Sequence, residues 1–205
     1  MFIFSVVLAA EPAVTEVAVG VAGTGEAVFQ EALARVYDDM PGSLAAEVVL
    51  SARTRWPIEV SMELGFRQLA GTREGGESPT SFWYAPVTVL ASGRYDAGSV
   101  ALLAGLGPSW VAYGESPGEA LDVERSDGGA RPGVLFEASG RWHSPWLAPS
   151  LHHPDEGPRG MDLFLSVGYR YSDVADAARA ATCMEAPCGI DLSAARGSAG
   201  AMVRF

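Results

Sequence analysis

The amino-acid sequence predicts an all-β fold, an eight-stranded antiparallel up-and-down barrel that crosses a membrane with its strands. Apolar and polar residues alternate with a period of two in one segment after another, which is typical of strands whose two faces have different surroundings. The connections between these segments are mostly short at one end and long at the other. The polar side of the alternation carries mainly small or oppositely charged residues. Helical periodicity is limited to 29–39 and 173–182, which we expect to form helical turns in loops.

The first four predicted strands cover residues 15–29, 45–56, 57–69 and 81–95. The third is the clearest, because its alternation runs without a break from Ile58 to Phe66. In chain order, the apolar faces of these four strands carry Val17, Val19 and Val21; Val48, Leu50, Ala52 and Trp56; Ile58, Val60, Met62, Leu64 and Phe66; and Val87, Val89 and Ala91.

The last four predicted strands cover residues 99–113, 134–143, 161–171 and 192–205. The first of these is more uniformly apolar than the others and contains Gly and Pro. The other three carry, in chain order, Val134, Phe136, Ala138 and Trp142; Met161, Leu163, Leu165, Val167, Tyr169 and Tyr171; and Ala195, Ala199, Ala201, Val203 and Phe205. Phe164 is an aromatic residue that this alternation places on the polar face.

The lengths of the connections indicate an antiparallel meander. Almost nothing separates the second and third strands at Trp56 and Pro57, and only a short "DAG" segment follows the fourth. The connections at the opposite end are longer and cover 30–44, 70–80, 114–133 and 173–190. The segment 144–160 departs from this rule, because it is long although it lies on the short side.

Two kinds of barrel fit the alternation, and they differ in which face lies inside. A soluble barrel of the calycin type encloses its apolar face, whereas a membrane barrel turns that face toward lipid. The polar face here is rich in Gly, Ser and Ala, which suits the narrow interior of an eight-stranded barrel. We therefore favour the membrane barrel.

The charges of the polar face support the same choice, because they balance. We predict an interior charge network of Glu47, Arg53, Glu59, Glu63, Arg67, Arg94, Glu137, Arg141, Asp162, Arg170, Arg196 and Arg204. With Glu16, Glu26 and Arg55 on the same face, seven acids oppose eight arginines in a chain of net charge -11. A closed interior requires such pairing, since an unpaired buried charge is very unfavourable.

Aromatic residues are concentrated toward the two ends of the predicted strands, as expected of the two interfacial girdles of a membrane barrel. The short-turn end carries Trp56, Tyr95, Trp142 and Trp146. The long-loop end carries Phe66, Phe82, Trp83, Trp110, Tyr113, Tyr169 and Tyr171. The alternative is that aromatic residues simply favour strands.

Residues 1–13 are interpreted as the remnant of a signal peptide, with an apolar run that ends in small residues, and residues 14–205 as the barrel. The alternative for residues 1–13 is an ordinary first strand. Cys183 and Cys188 are close enough in sequence for a local disulfide in an oxidising compartment, with two free thiols as the alternative. The net charge of -11 argues against a nucleic-acid surface, which needs clustered positive charge.

The chain resembles the small eight-stranded bacterial outer-membrane barrels of the outer-membrane protein A and X type. The residues that carry the resemblance are "LSVGYRYSD" and the final "AMVRF", and it extends over 14–205. It implies that Phe205 is a signal for the barrel-assembly machinery. It also implies a monomer in the bacterial outer membrane, surrounded by the lipid bilayer and lipopolysaccharide.

Enzymatic barrels of this kind, the lipid A deacylases, use a His-x-Ser pair on a late strand. The comparable stretch here contains Ser172 without a His two positions earlier, so no catalytic residue is carried over. His143 with Ser144 is an alternative Ser–His–acid site. His152 and His153 are interpreted as part of a solvated turn and not as metal ligands, since adjacent side chains diverge in extended structure.

We therefore expect a non-enzymatic barrel without a cofactor or metal. Its polar interior would be plugged, and it would act in envelope integrity or through its exposed loops. A lipid-modifying barrel enzyme and a soluble calycin-like barrel that binds an apolar ligand are the alternatives.

Overall fold

The structure is a computed structural model that describes residues 14–28, 44–72, 79–116, 127–144, 160–172, 175–177 and 188–205. Its strands are β1 (Val14–Val28), β2 (Leu44–Thr54), β3 (Ile58–Thr72), β4 (Pro79–Ala97), β5 (Val100–Ser116), β6 (Asp127–Ser144), β7 (Gly160–Ser172), β8 (Ala175–Ala177), β9 (Cys188–Ile190) and β10 (Ala194–Arg204). The described residues include no helix long and apolar enough to cross a membrane.

Eight of these strands form a closed barrel in which each strand pairs with its neighbours in the chain. The order around the wall is β1-β2-β3-β4-β5-β6-β7-β10, and β10 returns to pair with β1. All the pairings are antiparallel, and the closing register sets Val21 opposite Ala201 and Gly25 opposite Gly197. The predicted eight-stranded antiparallel up-and-down barrel is therefore confirmed.

The wall of the barrel is apolar outside and polar inside. On β7, the outward side chains Leu165 and Val167 are 68% and 66% exposed, whereas the inward Arg170 is only 1% exposed. A soluble barrel buries its apolar side chains, so this arrangement is the inverse one that a lipid environment favours. Phe164 faces inward and is buried, as its position in the alternation predicted.

The two ends of the barrel differ in the length of their connections. We call the end at Thr54, Ala97 and Arg204 the short-turn mouth and the end at Val28, Ser116 and Ser172 the long-loop mouth. At the short-turn mouth, Gly98 has a φ of 66°, a value that glycine adopts more readily than other residues. β6 and β7 are joined at the same mouth by the longer segment 145–159, as the sequence predicted.

Segment 173–182 differs from its predicted helical turn. Its part from Ala175 to Ala177 is the strand β8, which pairs antiparallel with β9. The pairing gives these backbone groups partners that a single isolated helical turn would lack. The predicted signal-peptide remnant at 1–13, the predicted helical turn at 29–39, Trp146 and Cys183 lie outside the described residues. The disulfide between Cys183 and Cys188 therefore stays a prediction.

Two prolines coincide with gaps in the hydrogen-bonded ladder on the two sides of β4. Pairing between β3 and β4 stops after Leu64 and Val87 and resumes in the same register at Arg67 and Tyr84, with Pro86 in the gap. Pairing between β4 and β5 has a similar gap, which contains Pro108. Proline has no N–H to donate, which is why a ladder is interrupted where its nitrogen faces the neighbouring strand.

Candidate functional site in the barrel interior

The side chains of the interior and of its short-turn rim form three charged clusters along the barrel axis. The outer cluster (Glu26, Arg67, Tyr84 and Arg170) lies nearest the long-loop mouth. The central cluster consists of Glu47, Glu63, Glu137 and Arg196. The short-turn cluster, at the opposite mouth, consists of Glu16, Arg53, Glu59, Arg94, Asp96, Arg141, His143, Asp162 and Arg204.

The outer cluster is organised around one carboxylate, that of Glu26. Arg170 donates to both of its oxygens, with Nη1 3.0 Å from Oε1 and Nη2 3.0 Å from Oε2. The hydroxyl of Tyr84 donates to Oε2 at 2.6 Å and accepts from Nη1 of Arg67 at 2.6 Å. Paired, two-pronged contacts of this kind are the strongest that a guanidinium makes with a carboxylate. The cluster therefore ties β1, β3, β4 and β7 together across the interior.

The segment just before β10 covers the outer cluster. Leu192 is completely buried, and its carbonyl accepts from Nη2 of Arg170 at 3.5 Å. The hydroxyl of Ser193 accepts from the backbone N–H of Ser172 at 3.0 Å. This segment therefore contacts the outer cluster through Arg170.

The central cluster sets three carboxylates around one guanidinium. Arg196 donates from Nη1 to Oε2 of Glu63 at 2.7 Å and from Nη2 to Oε2 of Glu47 at 2.9 Å. Oε2 of Glu137 lies 3.5 Å from Nη2. The side chain of Arg196 is only 2% exposed. Its charge therefore holds together acids from three strands, β2, β3 and β6, that would otherwise repel one another.

The short-turn cluster begins with two arginines that share Glu59. Arg94 donates from Nη1 to Oε2 of Glu59 at 2.9 Å, and Arg141 forms an ion pair with Oε1 of the same carboxylate. Arg94 also donates from Nε to Oδ1 of Asp96 at 2.8 Å. Asp96 in turn accepts from Arg53 at 2.9 Å, and both of these side chains are about 40% exposed, at 42% and 37%.

The same cluster continues through His143 and Asp162. Nδ1 of His143 lies 2.8 Å from Oδ1 of Asp162, and Nε2 lies 3.0 Å from Nη2 of Arg94. Nε of Arg204 lies 2.9 Å from the same Oδ1, and Nη1 of Arg204 lies 3.5 Å from Oε2 of Glu16. The cluster is thus a continuous chain of polar contacts at the short-turn mouth, in which the ring of His143 joins two groups of ion pairs.

The contacts of His143 determine its tautomer. A guanidinium only donates, so Nε2 must accept from Arg94, and Nδ1 must carry the proton that is donated to Asp162. The ring is therefore neutral, with its basic nitrogen already engaged. A Ser–His–acid site would need that nitrogen directed at a serine hydroxyl. The geometry thus gives no support to the alternative in which His143 and Ser144 act as a catalytic pair.

Eleven of the twelve residues predicted for the interior network lie in one of the clusters with a largely buried side chain. Arg53 lies at the rim of the mouth and not in the interior, because β2 ends one residue later, at Thr54. Arg55, which was placed on the same inward face, lies beyond the strand and is exposed, with its guanidinium 5.0 Å from the ring centre of Trp56.

The sequence also misassigned two aromatic residues of the predicted outer girdle. Phe82 and Tyr113 lie near the long-loop mouth but point inward, with exposures of 0% and 3%. Their rings stack with centroids 6.3 Å apart. Described residues whose aromatic side chains do face outward at the two ends are Trp56, Phe66, Trp83, Tyr95, Trp110, Trp142, Tyr169 and Tyr171.

Sequence reasoning overlooked Tyr84, Asp96 and Arg131 as interior or mouth residues. The signal for Tyr84 was available, because counting back by twos from the inward Arg94 on β4 reaches it. Arg131 donates to the hydroxyl of Tyr113 at 3.0 Å and lies over that ring. The predicted sixth strand began at Val134 and so did not include Arg131, whereas β6 begins at Asp127.

No protein-family model and no curated protein matches the chain. Several solved structures are similar to it in fold. Neisserial surface protein A shares 10% sequence identity, with a TM-score of 0.48 over 93% of this chain and 96% of that one. The N-terminal β-barrel domain of Pseudomonas aeruginosa OprF shares 7%, with a TM-score of 0.47 over 92% and 97%. A major outer membrane protein from Thermus thermophilus shares 14%, with a TM-score of 0.49 over 93% and 100%. At these identities the likeness concerns the fold alone.

Proposed function

We propose that this chain is a non-enzymatic barrel of the bacterial outer membrane whose interior is closed to ions. It acts in envelope integrity or through its long exposed loops. The central cluster carries this proposal, because Arg196 and its three carboxylate partners fill the interior midway along the axis. An ion that crosses the barrel would have to separate these buried pairs, which is strongly unfavourable in a low-dielectric interior.

The outer surface supports a place in a bilayer. Large apolar side chains are exposed around the barrel wall, for example Val21 on β1, Leu106 on β5 and Leu165 on β7. In water such a surface would be an aggregation hazard, whereas in lipid it is the favourable one. We propose that the lipid bilayer and lipopolysaccharide surround this face and that the barrel is a monomer.

Phe205 fits a role as a signal to the barrel-assembly machinery. Its side chain is 50% exposed next to β10. Its backbone N–H donates to the carbonyl of Val17 at 2.8 Å, so the residue continues the seam between β10 and β1. The strand pair that joins the first and last strands of the barrel therefore ends in an accessible aromatic side chain.

Conductance across a planar bilayer tests the closed interior. We expect the unmodified protein to give no large stable channels at neutral pH. Arg196→Ala removes the one guanidinium among Glu47, Glu63 and Glu137, so it should give measurable, cation-selective conductance. The matched control is Arg55→Ala, which removes an exposed arginine at the rim and should leave the barrel closed.

Heat-modifiable migration in detergent gels shows that each variant has folded into a barrel before it is measured. Large stable channels in the unmodified protein would contradict the proposal. An unchanged, closed Arg196→Ala variant with barrel-like migration would show that the central cluster is not what closes the interior.

A further inference from the structure

His143 connects two separate parts of the barrel wall through its two ring nitrogens. One nitrogen contacts Asp162 on β7, and the other contacts Arg94 on β4, two strands away from β6 in the wall. The backbone N–H of His143 is also anchored, since it donates to the carbonyl of Ser99 at 2.8 Å. The ring therefore bridges the interior of the short-turn mouth from a fixed backbone position.

The charges that face this ring balance only while it is neutral. The facing groups, in chain order, are Glu16 on β1, Arg53 on β2, Glu59 on β3, Arg94 and Asp96 on β4, Arg141 on β6, Asp162 on β7 and Arg204 on β10. These are four carboxylates and four guanidinium groups. Among the described residues, β5 contributes no charged side chain at this end. A proton bound by the imidazole would therefore leave one positive charge in excess.

We propose that His143 is a proton-sensitive latch that links β4 to β6 and β7 across the short-turn mouth when its ring is neutral and releases this contact when the ring is protonated. The added proton occupies Nε2, so this atom changes from acceptor to donor and faces the donor Nη2 of Arg94. The hydrogen bond between them is lost and replaced by the repulsion of two like charges. The proposal rests on the proposed function, since its test uses the channel that should open when the central cluster loses Arg196.

Arg94 and the protonated ring of His143 separate, because each keeps its other partners. Arg94 remains bound to Glu59 and Asp96 on its own side of the mouth. The protonated ring remains bound to Asp162, whose carboxylate attracts it more strongly than before. The contact that joined β4 to β6 and β7 is thus the one that opens. The ring of His143 can exchange protons with the aqueous medium, since its side chain is 17% exposed.

Conductance of the Arg196→Ala variant, whose central cluster no longer blocks the axis, tests the latch when the pH is varied on each side of the bilayer. The other variants below are made in this background. Imidazole is the side chain whose charge ordinarily changes between about pH 5 and pH 8. Acidification that protonates the ring should raise about tenfold the fraction of these channels in which the contact between His143 and Arg94 is released, the population shift expected when one hydrogen bond to a charged group is lost. The effect should arise from the side that the short-turn mouth faces and not from the other.

Histidine variants separate this latch from the other histidines of the chain, which are His152 and His153. His143→Gln should abolish the pH response, and the double variant His152→Gln with His153→Gln should retain it. Arg94→Gln should also abolish the response, because it removes the charge that the protonated ring repels. Nitrogen-15 NMR of the unmodified protein in detergent should show the neutral Nδ1–H tautomer for His143 at neutral pH, whether or not the variants fold.

The outcomes distinguish the latch from the closed barrel on which it depends. Large channels at neutral pH in the unmodified protein would refute the closed barrel. An unmodified barrel that is closed, together with an Arg196→Ala conductance that does not change on acidification, would refute the latch alone. A pH response that persists in His143→Gln, or an Nε2–H tautomer at neutral pH, would also refute the latch.

Discussion

Arg170 illustrates how the stability of this barrel depends on individual interior side chains. It is 1% exposed, and both of its terminal nitrogens are committed to the one carboxylate of Glu26. Removing Arg170 leaves the carboxylate of Glu26 buried with only the longer contact to Arg67, at 4.0 Å, as an ion pair. Arg53, by contrast, forms its ion pair with Asp96 at the solvated rim, where water screens the interaction. The same type of ion pair thus contributes differently to the free energy of unfolding at the two positions.

The variants Arg170→Met and Arg53→Met should reveal this difference. We expect Arg170→Met to lower the free energy of unfolding by about 3–5 kcal/mol, the usual result of breaking a buried pair. Arg53→Met should lower it by about 1 kcal/mol or less. Urea unfolding in lipid vesicles, followed by tryptophan fluorescence, measures both. Equal effects of the two substitutions would show that the interior of the outer cluster is as wet as the rim.

At the scale of elements, β4 and β5 approach each other closely at two glycines of β5. A Cβ added at Gly107 would overlap the backbone carbonyl oxygen of Val89, and one added at Gly105 would overlap the hydroxyl of Ser92. Pro108 lies in the gap of the same ladder. The fifth strand is therefore confirmed as a strand despite its Gly and Pro, because glycine allows the two backbones to approach where the ladder is interrupted.

Gly107→Ala should be poorly tolerated, whereas Gly23→Ala should be nearly neutral. The first adds a methyl group against backbone that is unable to move without disturbing β4, a change that costs about 1–3 kcal/mol or more. At Gly23 an added Cβ meets nothing within 4 Å. The urea midpoint of unfolding in vesicles, together with the yield of heat-modifiable barrel, measures the difference. Similar results at the two positions would contradict the close approach of β4 and β5.

At the scale of the whole molecule, the distribution of charge divides the chain into two parts. The described interior and its mouths contain the three clusters, in which acids and arginines largely balance, although the whole chain has a net charge of -11. The excess negative charge therefore lies outside the clusters. This division follows from the environment, since a buried charge needs a partner and a solvated charge does not.

Substitution with arginine on the outer face tests whether the barrel spans a bilayer. Leu165 lies in the middle of β7 and faces outward, and Tyr95 lies at the short-turn end of β4. Leu165→Arg should destabilise the barrel in vesicles by about 2–4 kcal/mol, because its charge lies near the bilayer midplane. Tyr95→Arg should cost about 1 kcal/mol or less, because it lies at the interface. A soluble barrel would show no such dependence on depth.

The amino-acid sequence by itself determined the fold and which residues face inward. The period-two alternation and the lengths of the connections were sufficient to predict eight antiparallel strands, and small or charged residues on one face were sufficient to predict an inverted barrel. These are local properties, since the face toward which a side chain points depends only on whether its position along the strand is odd or even. Even the inward position of Tyr84 follows from counting along β4.

Only the tertiary structure decided which partner each charged residue has. The sequence does not show that Arg196 gathers Glu47, Glu63 and Glu137, or that His143 contacts Arg94 and Asp162 at once. It also did not show that Arg53 lies at the rim. Such contacts cross the barrel between strands that are distant in sequence, and the tilt of the strands sets which residues reach the same depth. The alternation along each strand determines which face a residue lies on, and only the closure of the barrel brings specific residues together on that face.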